Sequence, residues 1–193
     1  MTNEELGNEI AKGIIATGIE AGFDGLSQST AGDYPSMGVS QWEGLDGGRG
    51  DTLLSYIDGG QKFIGRTYSD IENCGELDEL SELLGSEQGQ AAQLMILTSD
   101  CTGTYVDLLT SIDGFTDPKC IIYAGMWCPT SHVVVSRFLM RRMDRGYDIN
   151  DLSVVYQLFH DEYTDAAGVG EQYRCGYENR ATTTYNYVNG GVI

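Results

Sequence analysis

The carboxyl group of Glu20 is the strongest candidate in this sequence for acid–base chemistry. It follows a stretch whose apolar residues recur at helical spacing, and Gly22 behind it is of the type that ends a helix. We therefore place Glu20 in the last helical turn, where the helix dipole disfavours a negative charge. Shielding from water by Phe23 would also disfavour the ionised carboxylate. A carboxyl group that keeps its proton can donate that proton to a leaving oxygen. A solvated residue at a helix end is the alternative.

A second carboxylate would decide which reaction follows. Asp33 stands thirteen residues after Glu20, across a predicted turn. Paired carboxyl groups cleave glycosidic bonds when one protonates the leaving oxygen and the other activates water or stabilises an oxocarbenium-like transition state. Asp33 is our candidate for the second role, although aspartate is also a common turn residue. Its rivals are Asp24, Glu43 and Asp46.

The elements around these carboxylates can be read from capping signals and periodicity. Thr2-x-x-Glu5 has the form of a capping box that opens the first helix. Residues 25–41 are rich in Ser, Thr, Gly and Asp, which predicts a small hairpin or open loop with short strands. The apolar face of the first helix consists of Leu6, Ile10, Ile14 and Ile15.

The rest of the chain predicts helices. Asp51 and Asn150 are predicted N-caps, and Asp117-Pro118 has the form of a cap followed by a first helical turn. A long stripe over residues 86–112 includes Ala91, Leu94 and Met95 in its first half, and Gly103 is expected to bend or break that helix. Further predicted helices cover residues 70–84, 120–127, 131–143, 150–168 and 177–188. The fold class is therefore α+β, mainly α, in a single domain over residues 1–193 with a small β lobe near the N-terminus.

Composition excludes several classes of partner. The formal charge of −18 argues against nucleic acid and anionic membrane surfaces, because binding a polyanion needs a basic face. No apolar run is long enough to span a bilayer, and the N-terminus lacks the pattern of a secretory signal. Four arginines between residues 137 and 145 form a solvated helix face or hold carboxylates.

The cysteines and histidines do not form a recognisable site. Two histidines and five irregularly spaced cysteines predict neither a metal site nor any cofactor. We expect buried or half-buried free thiols, with a Cys120–Cys128 disulfide as an open alternative. A thiol peptidase pair of Cys128 with His132 is a weaker alternative.

Residues 20–42 resemble the signature of lysozyme-like glycosidases. In those proteins E-S-x-F is followed, after about twenty residues, by a G-L-x-Q element; here the sequence has Glu20-Ala-Gly-Phe23 and Gly38-Val-Ser-Gln41-Trp42. The likeness includes goose-type lysozymes, soluble lytic transglycosylases and phage cell-wall hydrolases, and more distantly chitosanases. Ala21 replaces the usual Ser, which puts details of the sugar subsites in doubt.

The resemblance implies a peptidoglycan glycosidase of lysozyme-like fold. Glu20 would be the general acid for the bond between N-acetylmuramic acid and N-acetylglucosamine, with Asp33 as the second catalytic group. It implies a phage endolysin held in the host cytoplasm until a holin releases it, or a virion-borne lysin, and we expect a monomer. Alternatives are a lytic transglycosylase that uses Glu20 alone and a non-catalytic glycan-binding tail or baseplate module. The implied substrate-binding residues are Tyr34, Ser36, Gly38, Ser40, Gln41 and Trp42.

Overall fold

The computed structural model describes residues 1–44 and 47–191, and it is mainly α-helical with one small antiparallel sheet. This confirms the predicted α+β, mainly α class. The chain forms two compact units, which are described separately below. The mixed unit is Glu20–Leu97, and the helical unit combines Met1–Ile19 with the chain from Thr98 onward. Within these described ranges, no helix has both the length and the apolar character needed to span a membrane.

The sheet of the mixed unit has the short strands predicted from residues 25–41. Its order is β1-β2-β3 with antiparallel pairing, and Met37 is opposite Leu26 on one side and Trp42 on the other. A single turn of 3₁₀-helix, Gly38–Ser40, connects the last two strands. The strands are β1 (Leu26–Gln28), β2 (Pro35–Met37) and β3 (Trp42–Glu43).

Four helices complete the mixed unit. The single helix predicted over residues 70–84 is in fact two, because Gly75 adopts a φ of +72° that a continuing helix does not allow. The helices are α2 (Arg49–Ser55), α3 (Tyr68–Asn73), α4 (Leu77–Gly85) and α5 (Glu87–Ser99). The core that they share with the sheet includes Met37, Leu53, Leu54, Phe63, Ile71, Leu80 and Leu84.

The predicted cap of α2 is wrong. Gly48 is the N-cap, and Asp51 lies inside the first turn, where its carboxylate accepts hydrogen bonds from the backbone N–H groups of Gly47 at 3.0 Å and Gly65 at 3.4 Å. Asp51 thus links two loops. Leu45 and Asp46, which belong to the turn predicted before this helix, lie outside the described residues.

The first helix of the helical unit begins as predicted and ends early. Helix α1 (Asn3–Thr17) has both hydrogen bonds of the capping box, and Leu6, Ile10 and Ile14 are buried. Gly18 ends it in the left-handed conformation, with its N–H bonded to the Ile14 carbonyl. The prediction that Glu20 lies in the last turn is therefore wrong: Glu20 is two residues beyond the cap. The helix-dipole argument made for it does not apply.

The long stripe predicted over residues 86–112 is interrupted where Gly103 suggested. A π-helical segment, Asp100–Tyr105, directly follows α5 and is itself followed by α6 (Val106–Thr110). The face predicted for α5 is wrong, since Leu94 and Met95 are each 49% exposed and Ala91 is exposed as well. The buried residues of α5 are Gly89, Ala92, Gln93, Ile96 and Leu97.

The other helices of the helical unit follow their predicted signals with one exception. Asp117 caps α7 with Pro118 as the first helical residue, as predicted. The cap of α9 is Asp151 and not Asn150, because the Asn150 amide oxygen accepts from the N–H groups of Thr116 and Asp117. These helices are α7 (Pro118–Gly125), α8 (Cys128–Met143), α9 (Leu152–Ala167) and α10 (Arg174–Gly191). Their aromatic core includes Tyr123, Trp127, Phe138, Phe159 and Tyr163.

All five cysteines are free thiols. Cys101, Cys120 and Cys128 are buried, as expected, whereas Cys74 and Cys175 are exposed, which the sequence did not predict. The alternative of a Cys120–Cys128 disulfide is therefore wrong.

Candidate functional site

The Glu20 carboxyl group lies at the start of the mixed unit and is partly enclosed. The residue as a whole is half-buried, and its Oε1 atom is shielded from solvent. Because Gly18 has already ended α1, Glu20 lies in an irregular segment. Its position therefore depends on what holds that segment in place.

The segment after Glu20 is a tight turn fixed by backbone hydrogen bonds. The Gly25 N–H donates to the Gly22 carbonyl at 3.0 Å, and the Gly25 carbonyl accepts from the Gly38 N–H at 2.7 Å. We call residues 20–25 the acid segment and residues 38–41 the floor segment. The second of these bonds joins the two segments directly.

The side chain of Gln93, on helix α5, forms hydrogen bonds to both the acid segment and the floor segment. Its side chain is fully buried; Oε1 accepts from the Val39 N–H at 3.0 Å, and Nε2 donates to the Phe23 carbonyl at 2.9 Å. Nε2 also donates to the Leu84 carbonyl at 2.9 Å. One amide thus satisfies three backbone groups from the acid segment, the floor segment and the end of α4. Buried polar groups of this kind fix the relative position of the chains they connect.

Gly38 is required for this arrangement. Its φ is +68°, and a Cβ at this position would lie 2.1 Å from Gln93 Oε1. Any other residue would be strained in its backbone and would also collide with the amide. The sequence resemblance implied that Gly38 allows approach of a sugar; in the structure it allows approach of Gln93.

Gln41 ends the floor segment beside the acid segment. Its side-chain Oε1 accepts from Ser27 Oγ at 3.0 Å, and its Nε2 donates to the Gly38 carbonyl at 3.2 Å. A Cβ on Gly25 would lie 2.6 Å from the Ala21 Cβ and 3.5 Å from Gln41 Nε2, so the amide lies close to the residues that follow Glu20. The half-buried amide keeps one donor and one acceptor position for a ligand.

The backbone of Gln41 is strained. Its φ of +50° is the single positive value at a non-glycine residue in ranges 1–44 and 47–191. The left-handed conformation costs a residue with a side chain about 1–2 kcal/mol. Such strain is concentrated at functional sites, where the surrounding structure maintains it.

Asp33 is held by the start of helix α3. Its Oδ1 accepts from the Ser69 N–H at 3.0 Å, from Ser69 Oγ at 2.9 Å and from Gln28 Nε2 at 3.3 Å. The backbone hydrogen bond from Ser69 is the main reason that the pKa of Asp33 is lowered. Asp33 is therefore an exposed, ionised carboxylate with one oxygen engaged in fixing the hairpin to α3.

The other predicted sugar-binding residues are differently exposed. Trp42 and Ser40 are each 6% exposed, so neither presents a surface to a sugar, and Trp42 belongs to the core of the mixed unit. Ser36 is 8% exposed, and its hydroxyl donates to the Gln41 carbonyl. Tyr34 is half-buried with its ring against Gly32, whose Cβ position would be 2.5 Å from Cε1. Of the two aromatic residues, Tyr34 is the more exposed.

The rival carboxylates have separate environments. Asp24 is exposed in the turn of the acid segment, and the Asp24 carbonyl accepts from Ser81 Oγ at 2.8 Å. Glu43 is exposed on β3 and accepts from Ser29 Oγ at 2.8 Å. Asp46 lies outside the described residues. Asp24 is therefore the rival nearest to Glu20 along the chain.

The alternative thiol site in the helical unit lacks a reactive thiol. Cys128 is buried, its Sγ donates to the Ala124 carbonyl, and burial raises the pKa of the thiol. His132 packs instead against Tyr105, with the ring centroids 6.0 Å apart. Across the part of the chain that the structure describes, no group of three His, Cys, Asp or Glu side chains is arranged to hold a metal ion.

The position of Gln93 between the acid segment and the floor segment was not predicted. Its sequence signal is spacing: it stands four residues before the apolar Leu97 and four after Gly89, on the face that is buried.

Comparisons of this chain with protein-family models, with curated proteins and with solved structures find no match. The specific part of the likeness to lysozyme-like glycosidases is therefore the motif within residues 20–42, and the likeness stays a prediction from the sequence.

Proposed function

We propose that this chain is a glycosidase that cleaves peptidoglycan strands, with Glu20 as the general acid. The observation that supports it best is the position of the Glu20 carboxyl, with Oε1 shielded, in a segment that Gln93 joins to the floor segment. A general acid must be held at a fixed distance from the bond it protonates. The hydrogen bonds of Gln93 join the acid segment to the floor segment, on which the sugar would lie, and so meet this requirement.

Gln41 of the floor segment and Tyr34, which precedes β2, supply the groups proposed to contact the glycan. Gln41 offers one remaining donor and one remaining acceptor to hydroxyl or acetamido groups, and the half-buried Tyr34 is assigned to a pyranose face. Ser36, Gly38 and Ser40 are buried, so we assign them to shaping the floor and not to direct contact. Trp42 is assigned to the core of the mixed unit for the same reason.

The environment of Asp33 favours a second form of the reaction. A base that activates water needs an oxygen free to take a proton, and Oδ1 of Asp33 already accepts three hydrogen bonds. Hydrolysis would then use Oδ2 of Asp33 or another carboxylate. A lytic transglycosylase reaction needs Glu20 alone and ends in a 1,6-anhydro product. The lowered pKa of Asp33 makes its carboxylate a weaker base, which favours this reaction over inverting hydrolysis.

Digestion of purified peptidoglycan tests the proposal. Wild-type protein is expected to release muropeptides, and Glu20→Gln is expected to reduce the rate by about 10²-fold or more, the usual contribution of a general acid. Glu82→Gln, on the exposed face of α4, is the matched control and should retain the wild-type rate. Mass spectrometry of the products separates reducing muramic ends, which indicate hydrolysis, from anhydro ends, which indicate a transglycosylase.

Two results would contradict the proposed role. Equal rates for wild type and Glu20→Gln would remove Glu20 from the chemistry. No release by either protein would exclude the enzyme, and if both proteins then cosediment with the insoluble peptidoglycan, the chain is a glycan-binding module without catalytic activity.

A further inference from the structure

Four arginines line one pocket in the helical unit. Arg137, Arg141 and Arg142 belong to helix α8, and Arg145 follows it. The chain has 11 basic residues against 29 acidic ones, so more than a third of its cations surround this one pocket. The pocket has a volume of about 390 Å³, and α9 closes it with Glu162, Asp165 and Ala166.

Arg142 gives the pocket a buried cationic wall. It is 7% exposed; its guanidinium lies 4.6 Å from the Phe138 ring centroid, and Nη2 pairs with Glu162 Oε2 at 2.7 Å. Its Nε–H is buried and has no hydrogen-bond partner in the described part of the chain. A buried donor without an acceptor is destabilising, so a ligand in the pocket that brings an acceptor to this N–H would be favoured.

The carboxylates of the pocket are already neutralised. Glu162 is paired with Arg142, and Asp165 is paired with Arg174 at 2.7 Å. Arg137, Arg141 and Arg145 have no ion-pair partner within residues 1–44 and 47–191. The positive charge of the pocket is therefore largely uncompensated.

Arg137 and Arg141 lie four residues apart on α8, and Arg145 follows the end of that helix. Residues four apart are neighbours on a helix surface, and like charges at that spacing repel each other. The repulsion is relieved when an anion lies between them. Guanidinium groups suit phosphate in particular, because each offers several donors in a plane and phosphate accepts from more than one of them.

We propose that this pocket binds a small ligand through its phosphate group. Val134 and Phe138 form an apolar wall beside the arginines, which suits a ligand with a compact apolar part next to the phosphate. The volume is in the range of small-molecule sites. A long polyanion is disfavoured because the net charge of −18 repels it. The inference does not depend on the proposed glycosidase activity.

Isothermal titration calorimetry with phenyl phosphate tests the proposal, with benzoate as the carboxylate probe of the same ring size. Phenyl phosphate should bind with one-to-one stoichiometry and at least about tenfold more tightly than benzoate, because phosphate carries more charge and more acceptor oxygens. Arg141→Gln should weaken phenyl phosphate binding about tenfold or more, the effect of losing a charge-assisted hydrogen bond. Lys12→Gln, exposed on α1, makes the same change in net charge and should alter binding less than about twofold.

A second readout identifies the buried arginine. In a ¹⁵N spectrum of the arginine side chains, the Nε–H signal of Arg142 should shift on addition of phenyl phosphate and should not shift in Arg137→Gln/Arg141→Gln. Both substituted residues are exposed, so the variant is expected to fold. The proposal is overturned if phenyl phosphate does not bind, if benzoate binds equally well, if Arg141→Gln binds like wild type, or if a duplex oligonucleotide competes for the site more tightly than phenyl phosphate.

Discussion

Gln93 Oε1 accepts a hydrogen bond from the Val39 N–H at 3.0 Å, across 54 residues of sequence. The same side chain reaches the Phe23 carbonyl through Nε2, so one buried amide fixes the turn after Glu20 against the floor segment. The geometry of the proposed site therefore depends on a residue that would not itself contact the substrate.

Replacement of Gln93 should reveal this dependence as a loss of stability. Gln93→Leu leaves the Val39 N–H and the carbonyls of Phe23 and Leu84 without their partner in a buried environment. Since each orphaned group costs about 1–3 kcal/mol, the free energy of unfolding should fall by about 3 kcal/mol or more. Urea denaturation measures it. Gln90→Leu, on the same helix but exposed, loses one hydrogen bond and should cost about 1 kcal/mol; equal effects of the two variants would contradict the prediction.

Gly38 should tolerate substitution worse than another glycine with the same backbone conformation. Gly38→Ala and Gly75→Ala both place a Cβ at positive φ, +68° and +72°, which costs about 1–2 kcal/mol in each case. Only the Gly38 variant also directs the Cβ at Gln93 Oε1, whereas nothing lies within 4 Å at Gly75. Gly38→Ala should therefore be less stable than Gly75→Ala by about 1–3 kcal/mol in urea denaturation. A difference near zero would mean that Gln93 moves aside without cost.

Asp33 should contribute to stability in a pH-dependent way. The hydrogen bond from the Ser69 N–H lowers the pKa of Asp33 in the folded protein. The ionised carboxylate therefore contributes fully to the free energy of unfolding above the pKa of Asp in the unfolded chain, about 3.9. This contribution is lost as the pH falls through the lower pKa of the folded protein. Thermal unfolding at a series of pH values should show Asp33→Asn melting below wild type at pH 7, with the gap narrowing below about pH 4.

Glu82→Gln is the control for that comparison, because it also converts an exposed carboxylate to an amide in the mixed unit. The difference in melting temperature between wild type and Glu82→Gln should not narrow as the pH falls below about 4. If the gap between wild type and Asp33→Asn is unchanged from pH 7 to pH 3, the carboxylate does not act through its ionised form.

The sequence predicted elements best where the signal is local. The capping box at Thr2 and Glu5, the Asp117-Pro118 start of α7 and the Gly168 end of α9 are all confirmed, because each depends on residues within one helical turn. The short strands on either side of the Gly38–Ser40 turn are also confirmed, because the turn residues that predict them are close in sequence.

Two helix boundaries were not predicted. Gly22 was predicted to end α1, but Gly18 ends it four residues earlier, which leaves Glu20 outside the helix. Asn150 was a suitable cap by type, but its amide is used by the loop before α7, which leaves the cap to Asp151. For the cap of α9, the deciding contacts come from residues more than thirty positions away in the sequence, at Thr116 and Asp117.

The site itself was predicted in part. Glu20 and Gln41 were identified from their motif, and the structure brings the segments that carry them together through Gly25 and Gly38. Gln93 was missed because an apolar stripe was sought on α5, and a buried amide does not contribute to such a pattern. A buried polar residue on a helix is recognised only when its backbone partners are known.

Substitution of two glycines of the helical unit by alanine should change the free energy of unfolding in opposite directions. A Cβ on Gly7 would lie 2.5 Å from the Thr102 Cα, so Gly7→Ala forces α1 and the π-helical segment apart and should cost about 1–3 kcal/mol. A Cβ on Gly103 meets nothing within 4 Å, so Gly103→Ala should stabilise by up to about 1 kcal/mol by restricting the unfolded chain. Urea denaturation of the two single variants gives the signs, and a stabilising Gly7→Ala would contradict the close packing of these elements.

Thiol accessibility should divide the five cysteines into two groups. Cys74 and Cys175 are exposed and should react rapidly with a chromogenic disulfide reagent, whereas Cys101, Cys120 and Cys128 are buried, and burial raises the pKa of each of these three thiols. Two thiols per chain are expected to react in the native protein and all five after denaturation. Cys74→Ser/Cys175→Ser should remove the fast phase; a fast phase that persists in this variant would place one of the buried thiols at the surface.

The π-helical segment Asp100–Tyr105 also affects how distant relatives of this chain should be aligned. A π-helical turn accommodates one residue more than an α-helical turn, so the residues that follow it are rotated by about 100° around the helix axis. The α5 and α6 patterns are therefore offset by one position within what the sequence presents as a single helix. A relative that lacks the π turn would match this chain only with a one-residue gap inside a helix.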